Sequence, residues 1–138
     1  MIGGRKIAIV SATQIERATK YTKEATETEP GVLKTLNPAA FLEVIREADA
    51  TSDYVIVEVH WGTEGSLHEE KSQRLLAELY AEAGADAVIG GHPHRLQGCG
   101  FTDGVPVAYS LGNFWFSTGT LYTTLAKITI TEDGAVTL

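Results

Sequence analysis

The chain has 138 residues, 43% of them hydrophobic, and a formal net charge of −7 without any basic run. That is the length of one domain able to bury a core, and the charge argues against nucleic acid or anionic membrane as a partner, since both are bound through Lys and Arg. No apolar run approaches the ~18 residues a membrane-spanning helix needs, and a lone cysteine, Cys99, excludes an intrachain disulfide and reads as a small, at least half-buried thiol.

The chain starts Met1-Ile2-Gly3-Gly4 and passes at once into an apolar stretch, Ile7, Ala8, Ile9 and Val10. It has neither the apolar length nor the cleavage site of a signal peptide, so the chain as given is expected to be soluble, either cytoplasmic or a piece of something longer. The stretch is apolar without alternation, which predicts a first strand over 6–11, central and covered on both faces. Residues 15–31 are crowded with Thr and Glu and closed by Pro30-Gly31. They predict a surface excursion, variable through residue 36, with one or two weak helical turns at most.

Asn37-Pro38 is a helix start, Asn accepting from first-turn amides and Pro standing where no donor is needed. Phe41, Leu42, Ile45 and Ala48 then give an apolar face at helical spacing. A strand over 54–60 follows, and Ser66 with Glu69 predicts a capping box opening a second helix. Leu75, Leu76, Leu79, Tyr80 and Ala83 are its expected buried stripe, with Gly84 as its left-handed stop. A third strand over 85–89 completes a βαβαβ unit with a parallel sheet.

Beyond Leu96 the pattern becomes antiparallel: Asp103-Gly104 predicts one hairpin, and residues 125–131 with Val136 predict another around Asp133-Gly134. The fold class is therefore α/β, a parallel βαβαβ sheet followed by antiparallel hairpins. Both helices are expected on one face, which leaves the other to be covered by the hairpins or by a partner absent from this chain.

Three histidines stand at strand ends. His60 closes the second strand, and Gly90-Gly91-His92-Pro93-His94 follows the third. In an α/β sheet the carboxyl ends of parallel strands share one edge, where ligands collect, so the three imidazoles are expected together there. Neutral imidazole is a common ligand for transition metals, and Pro93 restricts the chain between two of the rings. Glu58, two residues before His60, points to the same face and either accepts a hydrogen bond from a metal-bound imidazole or is simply exposed. Glu64 is a candidate for touching metal or substrate, with a solvated loop acid the simpler reading. Trp61 and Trp115 flank the edge and either line a binding cleft or, the simpler reading, pack, while Asn113 is expected to order its turn and His68 to be solvated.

Val-His-Trp-Gly-Thr-Glu (residues 59–64), Gly-Ala-Asp-Ala-Val-Ile-Gly-Gly-His-Pro-His (residues 84–94) and Tyr-Ser-Leu-Gly-Asn-Phe (residues 109–114) occur in this order. With them the chain resembles the bacterial CapA family of poly-γ-glutamate capsule biosynthesis, whose domain is similar to calcineurin-like metallophosphoesterases. The likeness implies that His60 and His92 bind one metal and His94 its neighbour, in a divalent pair of Mn, Fe or Zn that acts on phosphoesters. It also implies a departure. The Asp-x-His, Gly-Asp and Asn-His elements of that superfamily's first half do not lie upstream of His60, and Gly112-Asn113 is followed by Phe114.

Residues 1–138 thus read either as a single domain or as the C-terminal part of a CapA-type domain, the second half of a metallophosphoesterase-like α/β sandwich. Alone, the fragment is expected to hold metal weakly or not at all and to be inactive. The partners the likeness implies are the missing N-terminal half, synthase subunits or the polyglutamate chain, with a homodimer as the simplest self-association. Full-length members would be cell-surface or membrane-associated. The alternative function is a non-catalytic binding or assembly component for the polyglutamate chain or its synthase.

Overall fold

The computed structural model describes residues 3–16, 22–115 and 122–138. Within them run β1 (Ile7–Thr13), α1 (Ala39–Thr51), β2 (Tyr54–His60), α2 (Lys71–Glu82), β3 (Ala87–Gly91), β4 (Cys99–Thr102), β5 (Val105–Ala108), β6 (Thr129–Ile130) and β7 (Val136–Thr137). The main sheet has the order β1-β2-β3-β5-β4. Neighbours among β1, β2, β3 and β5 are parallel, and β4 returns antiparallel to β5. A separate antiparallel ribbon joins β6 to β7. This is the mixed α/β class that the alternation of apolar runs and helical stripes predicts.

Period two sorts the side chains. Val55, Val57 and Val59 of β2, with Val88 and Val107 in register beside them, form one core with Phe41 and Ile45 of α1 and Leu76, Ala77 and Tyr80 of α2. Both helices therefore lie on one face, and the Phe41 ring meets Tyr80 edge-on at 5.3 Å.

Several expectations change. β1 is an edge strand, and Ile9 is 70% exposed. Its unbroken apolar run reflects a second face that the described residues cover only in part. The first hairpin does not fold over that face; it pairs through β5 with β3 and extends the sheet sideways. On the open side Ile128 and Ile130 line a groove of about 410 Å³ with Ile7, Ile9 and Ile56, and Leu125, Ala126 and Leu138 line a pocket with Phe101, Pro106 and Ala108. Cys99 is exposed, because β4 is the other edge.

The start of α2 also moves. Its capping box is Glu70 with Gln73, and the Glu70 amide donates to Gln73 Oε1 at 2.8 Å. Ser66 is used differently: its hydroxyl donates to the His68 carbonyl at 2.7 Å and holds a turn. Gln97 Nε2 then donates to the carbonyls of Ser66 and His68, so that segment is tied down as a loop. The buried face of α2 shifts accordingly. Gln73 and Ala77 are fully buried, whereas Leu75 is 48% exposed.

The Asn37 side chain accepts from the Ala39 amide at 3.4 Å, as a cap should, although the helix proper opens at Ala39. In the excursion, part of the expected weak helical stretch, including Ala18 and Tyr21, lies outside the described residues. Residues 22–32 form a bridged turn instead of a helix, with Glu24 opposite Val32. Gly31 is needed there, since a Cβ would come within 2.5 Å of the Ala25 amide nitrogen. The excursion then returns to β1: the Thr13 amide donates to Leu33 O, and the Thr35 amide to Thr13 O.

Candidate functional site

β2 and β3 are adjacent and parallel, with His60 in register with Gly91. The strand that ends in His60 therefore ends beside the turn that carries His92 and His94. The His60 and His92 rings lie 4.7 Å apart between centroids, and those of His92 and His94 6.1 Å. The gathering inferred from two strand ends is thus present at the carboxyl edge of the sheet.

The turn is held in an uncommon conformation. His92 and His94 both have positive φ, 99° and 58°. Non-glycine residues pay ~1–3 kcal/mol for such states unless the surroundings impose them. Here the Trp61 amide donates to Gly91 O at 3.0 Å and the Gly65 amide to Pro93 O at 2.8 Å, with Pro93 fully buried. Behind the turn, Trp61 is fully buried, stacks between Tyr80 and Tyr109, and donates from Nε1 to Tyr109 O at 2.8 Å. Gly90 passes so close to this hydrogen bond that a Cβ would lie 2.1 Å from Tyr109 O and 2.3 Å from Trp61 Nε1. Trp61 packs as expected; Trp115 does not, being 89% exposed.

The electrostatics favour neutral rings. Partial burial lowers the His60 pKa, neighbouring His92 and His94 lower it further, and Glu58 opposes them. For His92 the causes are burial and then His94, opposed by Glu64. Neutral imidazole is the form that donates a lone pair to a metal.

The carboxylates take distinct places. Glu58 is exposed on the open face, where Oε2 accepts from the Ser11 hydroxyl at 3.2 Å. Both line a cleft of about 180 Å³ with His60 and Gly91. Glu64 is exposed and shares with His92 a second cleft of about 410 Å³, to which Gln14 and Glu16 also contribute. His68 is exposed. Ser11 was not foreseen, yet its signal is readable: it is the first polar residue after the apolar run of β1, and parallel register sets it opposite Glu58.

Asn113 is the sixth residue of the set. Its Oδ1 lies 2.6 Å from His94 Nδ1.

These donors match the imidazole portion of a transition-metal site, three rings along one edge, with His92 and His94 half-buried and His60 exposed. Among the described residues, no group of three or more His, Cys, Asp and Glu is disposed to hold a metal ion. The histidines thus fit as a partial ligand set and not as a complete cage.

Comparison with known proteins gives the setting. The family described as "Bacterial capsule synthesis protein PGA_cap" matches residues 1–118. The chain is 37% identical over 118 residues to the "PGA biosynthesis protein CapA" of Bacillus subtilis (strain 168), a stretch covering 86% of this chain and 30% of that protein. It is 38% identical over 99 residues to the "Capsule biosynthesis protein CapA" of Bacillus anthracis, covering 69% of this chain and 24% of that protein. It is also 38% identical over 80 residues to the "Uncharacterized protein y4sH" of Sinorhizobium fredii (strain NBRC 101917 / NGR234), covering 56% of this chain and 17% of that protein. The chain thus spans less than a third of the length of the curated relatives it matches. With three motifs in order and a family match over most of its length, the chain belongs to the bacterial capsule synthesis PGA_cap family, the family of CapA.

Proposed function

We propose that the chain is the C-terminal part of a capsule-biosynthesis protein with a metallophosphoesterase-like domain, in which His60, His92 and His94 supply the imidazole ligands of a divalent metal pair. The observation that carries this reading is the approach of His60 to His92 at the ends of two adjacent parallel strands. Carboxylate and Asn-His ligands from the preceding half of the domain would complete the set. That half would also cover the open face of the sheet.

Bound there, the metals would supply Lewis-acid polarisation of a phosphoryl oxygen. This chain's own part is to hold three imidazoles at one sheet edge, two of them on a braced turn, and to exclude water behind them with Trp61 and Tyr109. The chain's net charge of −7 repels a polyanion such as polyglutamate, and only a cationic centre at this edge would offset that.

The test is Zn²⁺ or Mn²⁺ titration by calorimetry, together with an assay on a generic phosphodiester. Wild type should bind metal weakly, His92→Ala should bind at least ~10-fold more weakly, and neither should turn over the phosphodiester. Metal-dependent turnover by the pure chain, lost in His92→Ala, would refute the need for the missing half. Equal binding by wild type and His92→Ala would refute the ligand assignment.

A second reading, a non-catalytic component that binds the polyglutamate chain or its synthase, draws on the incomplete donor set among the described residues. Testing the longer protein separates the two, since only the enzyme reading expects turnover once the preceding half is restored.

A further inference from the structure

We propose that Asn113 is a positioning residue for His94, holding its proton on Nδ1 and so turning a bare Nε2 lone pair toward the histidine cluster; this rests on the reading of His94 as a ligand.

The placement follows from a hairpin register that begins at the Asp103-Gly104 turn, where both residues have positive φ, 48° and 82°. Outward from it, Thr102 faces Val105, Phe101 faces Pro106, Gly100 faces Val107 and Cys99 faces Ala108. The ladder continues past the strand ends: the Tyr109 amide donates to Gly98 O at 3.1 Å, the Gln97 amide to Ser110 O at 3.2 Å, and Leu96 bridges Leu111. Two residues further on each side stand His94 and Asn113. They occupy the next facing positions of that register, and contacts between facing positions are what such a ladder delivers.

The far side of the pair is braced as well. Gly112, with φ of 73°, bridges Thr123, and a Cβ there would lie 2.3 Å from Tyr122 O. The Thr124 amide donates to Leu111 O at 3.1 Å. Asn113 is thus presented by backbone pairing on two sides, and Oδ1 meets Nδ1 at 2.6 Å.

The chemistry turns on which atom faces the ring. An amide oxygen only accepts, so facing Nδ1 it requires the proton there and leaves Nε2 bare. Turned over, the amide would donate from Nδ2 to a bare Nδ1, and the proton would move to Nε2. Partners of this kind orient the metal-binding imidazole and fix its tautomer.

The experiment reads the tautomer directly, from imidazole ¹⁵N shifts of the ¹⁵N-histidine-labelled chain above the imidazole pKa, with His94→Gln identifying the His94 signals. Wild type should show the proton on Nδ1, which a free side chain in water disfavours. Asn113→Asp should keep it there, and Asn113→Leu should release it to Nε2 and weaken Zn²⁺ binding ~10–100-fold. An Nε2-protonated His94 in wild type, or an unchanged tautomer in Asn113→Leu, would overturn the proposal. If Asn113→Leu fails to fold, the wild-type and Asn113→Asp spectra still decide, since Nε2 protonation in either contradicts it and Nδ1 protonation in both supports it. Wild type that shows the Nδ1 tautomer and yet binds no Zn²⁺ would count against the metal reading and not against the Asn113–His94 pairing.

Discussion

His60 and His92 resist protonation in the folded chain, first because their rings are partly withdrawn from water and then because neighbouring imidazoles repel a second charge. The unfolded chain titrates near 6.5 and takes up protons first as the pH falls. Stability is therefore fully present above that value and is lost as the pH drops toward the lowered folded-state values. The melting temperature should fall as the pH drops below about 6.5, and the fall should be shallower in a His60→Gln/His92→Gln double variant. A pH profile equally steep in the double variant would assign the loss to other groups. At the same scale, Gly90 has no room for a methyl group beside the Trp61–Tyr109 hydrogen bond. Gly90→Ala should cost ~1–3 kcal/mol or more in urea denaturation. Gly100→Ala, with nothing within 4 Å of its Cβ, is the control and should change little.

At the scale of elements, burial ranks the side chains of the two helices. Phe41 is fully buried against Tyr80, so Phe41→Ala should destabilise the chain by ~3–5 kcal/mol. Leu75 carries the same hydrophobic label yet is 48% exposed, and Leu75→Ala should stay within ~0.5 kcal/mol of wild type. Comparable denaturation midpoints for the two variants would contradict the placement of α2. Its register is decided by a polar contact: Gln73 is fully buried and donates from Nε2 to Gln97 Oε1 at 2.9 Å. A buried amide needs such a partner, and rotating α2 to bury Leu75 would strip it away.

For the whole molecule the sheet is two-sided in sequence and unevenly covered: on the face away from the helices Ile56, Ala87 and Ala108 are buried, while the edges stay open. Ile9, Phe101 and Leu125 are 70%, 72% and 78% exposed, and the groove among Ile7, Ile9, Ile56, Ile128 and Ile130 is open. Exposed apolar area of several hundred Å² is the scale at which a surface seeks a partner. Under the proposed function, the preceding half of a longer protein would occupy this face; the chain spans 30% of its Bacillus subtilis relative. The isolated chain should therefore self-associate at micromolar concentration, most simply as a two-fold dimer. Light scattering checks this. An Ile9→Glu variant should be monomeric, and a wild-type monomer that binds no hydrophobic dye would show that the β6–β7 ribbon suffices as cover.

Much was determined by local pattern, because hydrophobic periodicity and turn chemistry act between near neighbours. β2 spans the predicted 54–60, α1 buries the predicted Phe41 and Ile45, Asp103-Gly104 makes its hairpin, and His60 and Glu58 share a face. Other features belong to contacts that sequence spacing does not encode. Sheet order made β1 an edge, since an apolar run reports that two faces want cover and not whether anything supplies it. The start of α2 depended on Gln97, which claims the carbonyls of Ser66 and His68 from 31 and 29 residues away. The Asn113–His94 pair lay between. Its register could be counted outward from Asp103-Gly104, but only the tertiary fold, with the Leu96–Leu111 bridge beyond both strand ends, decided that the two side chains meet.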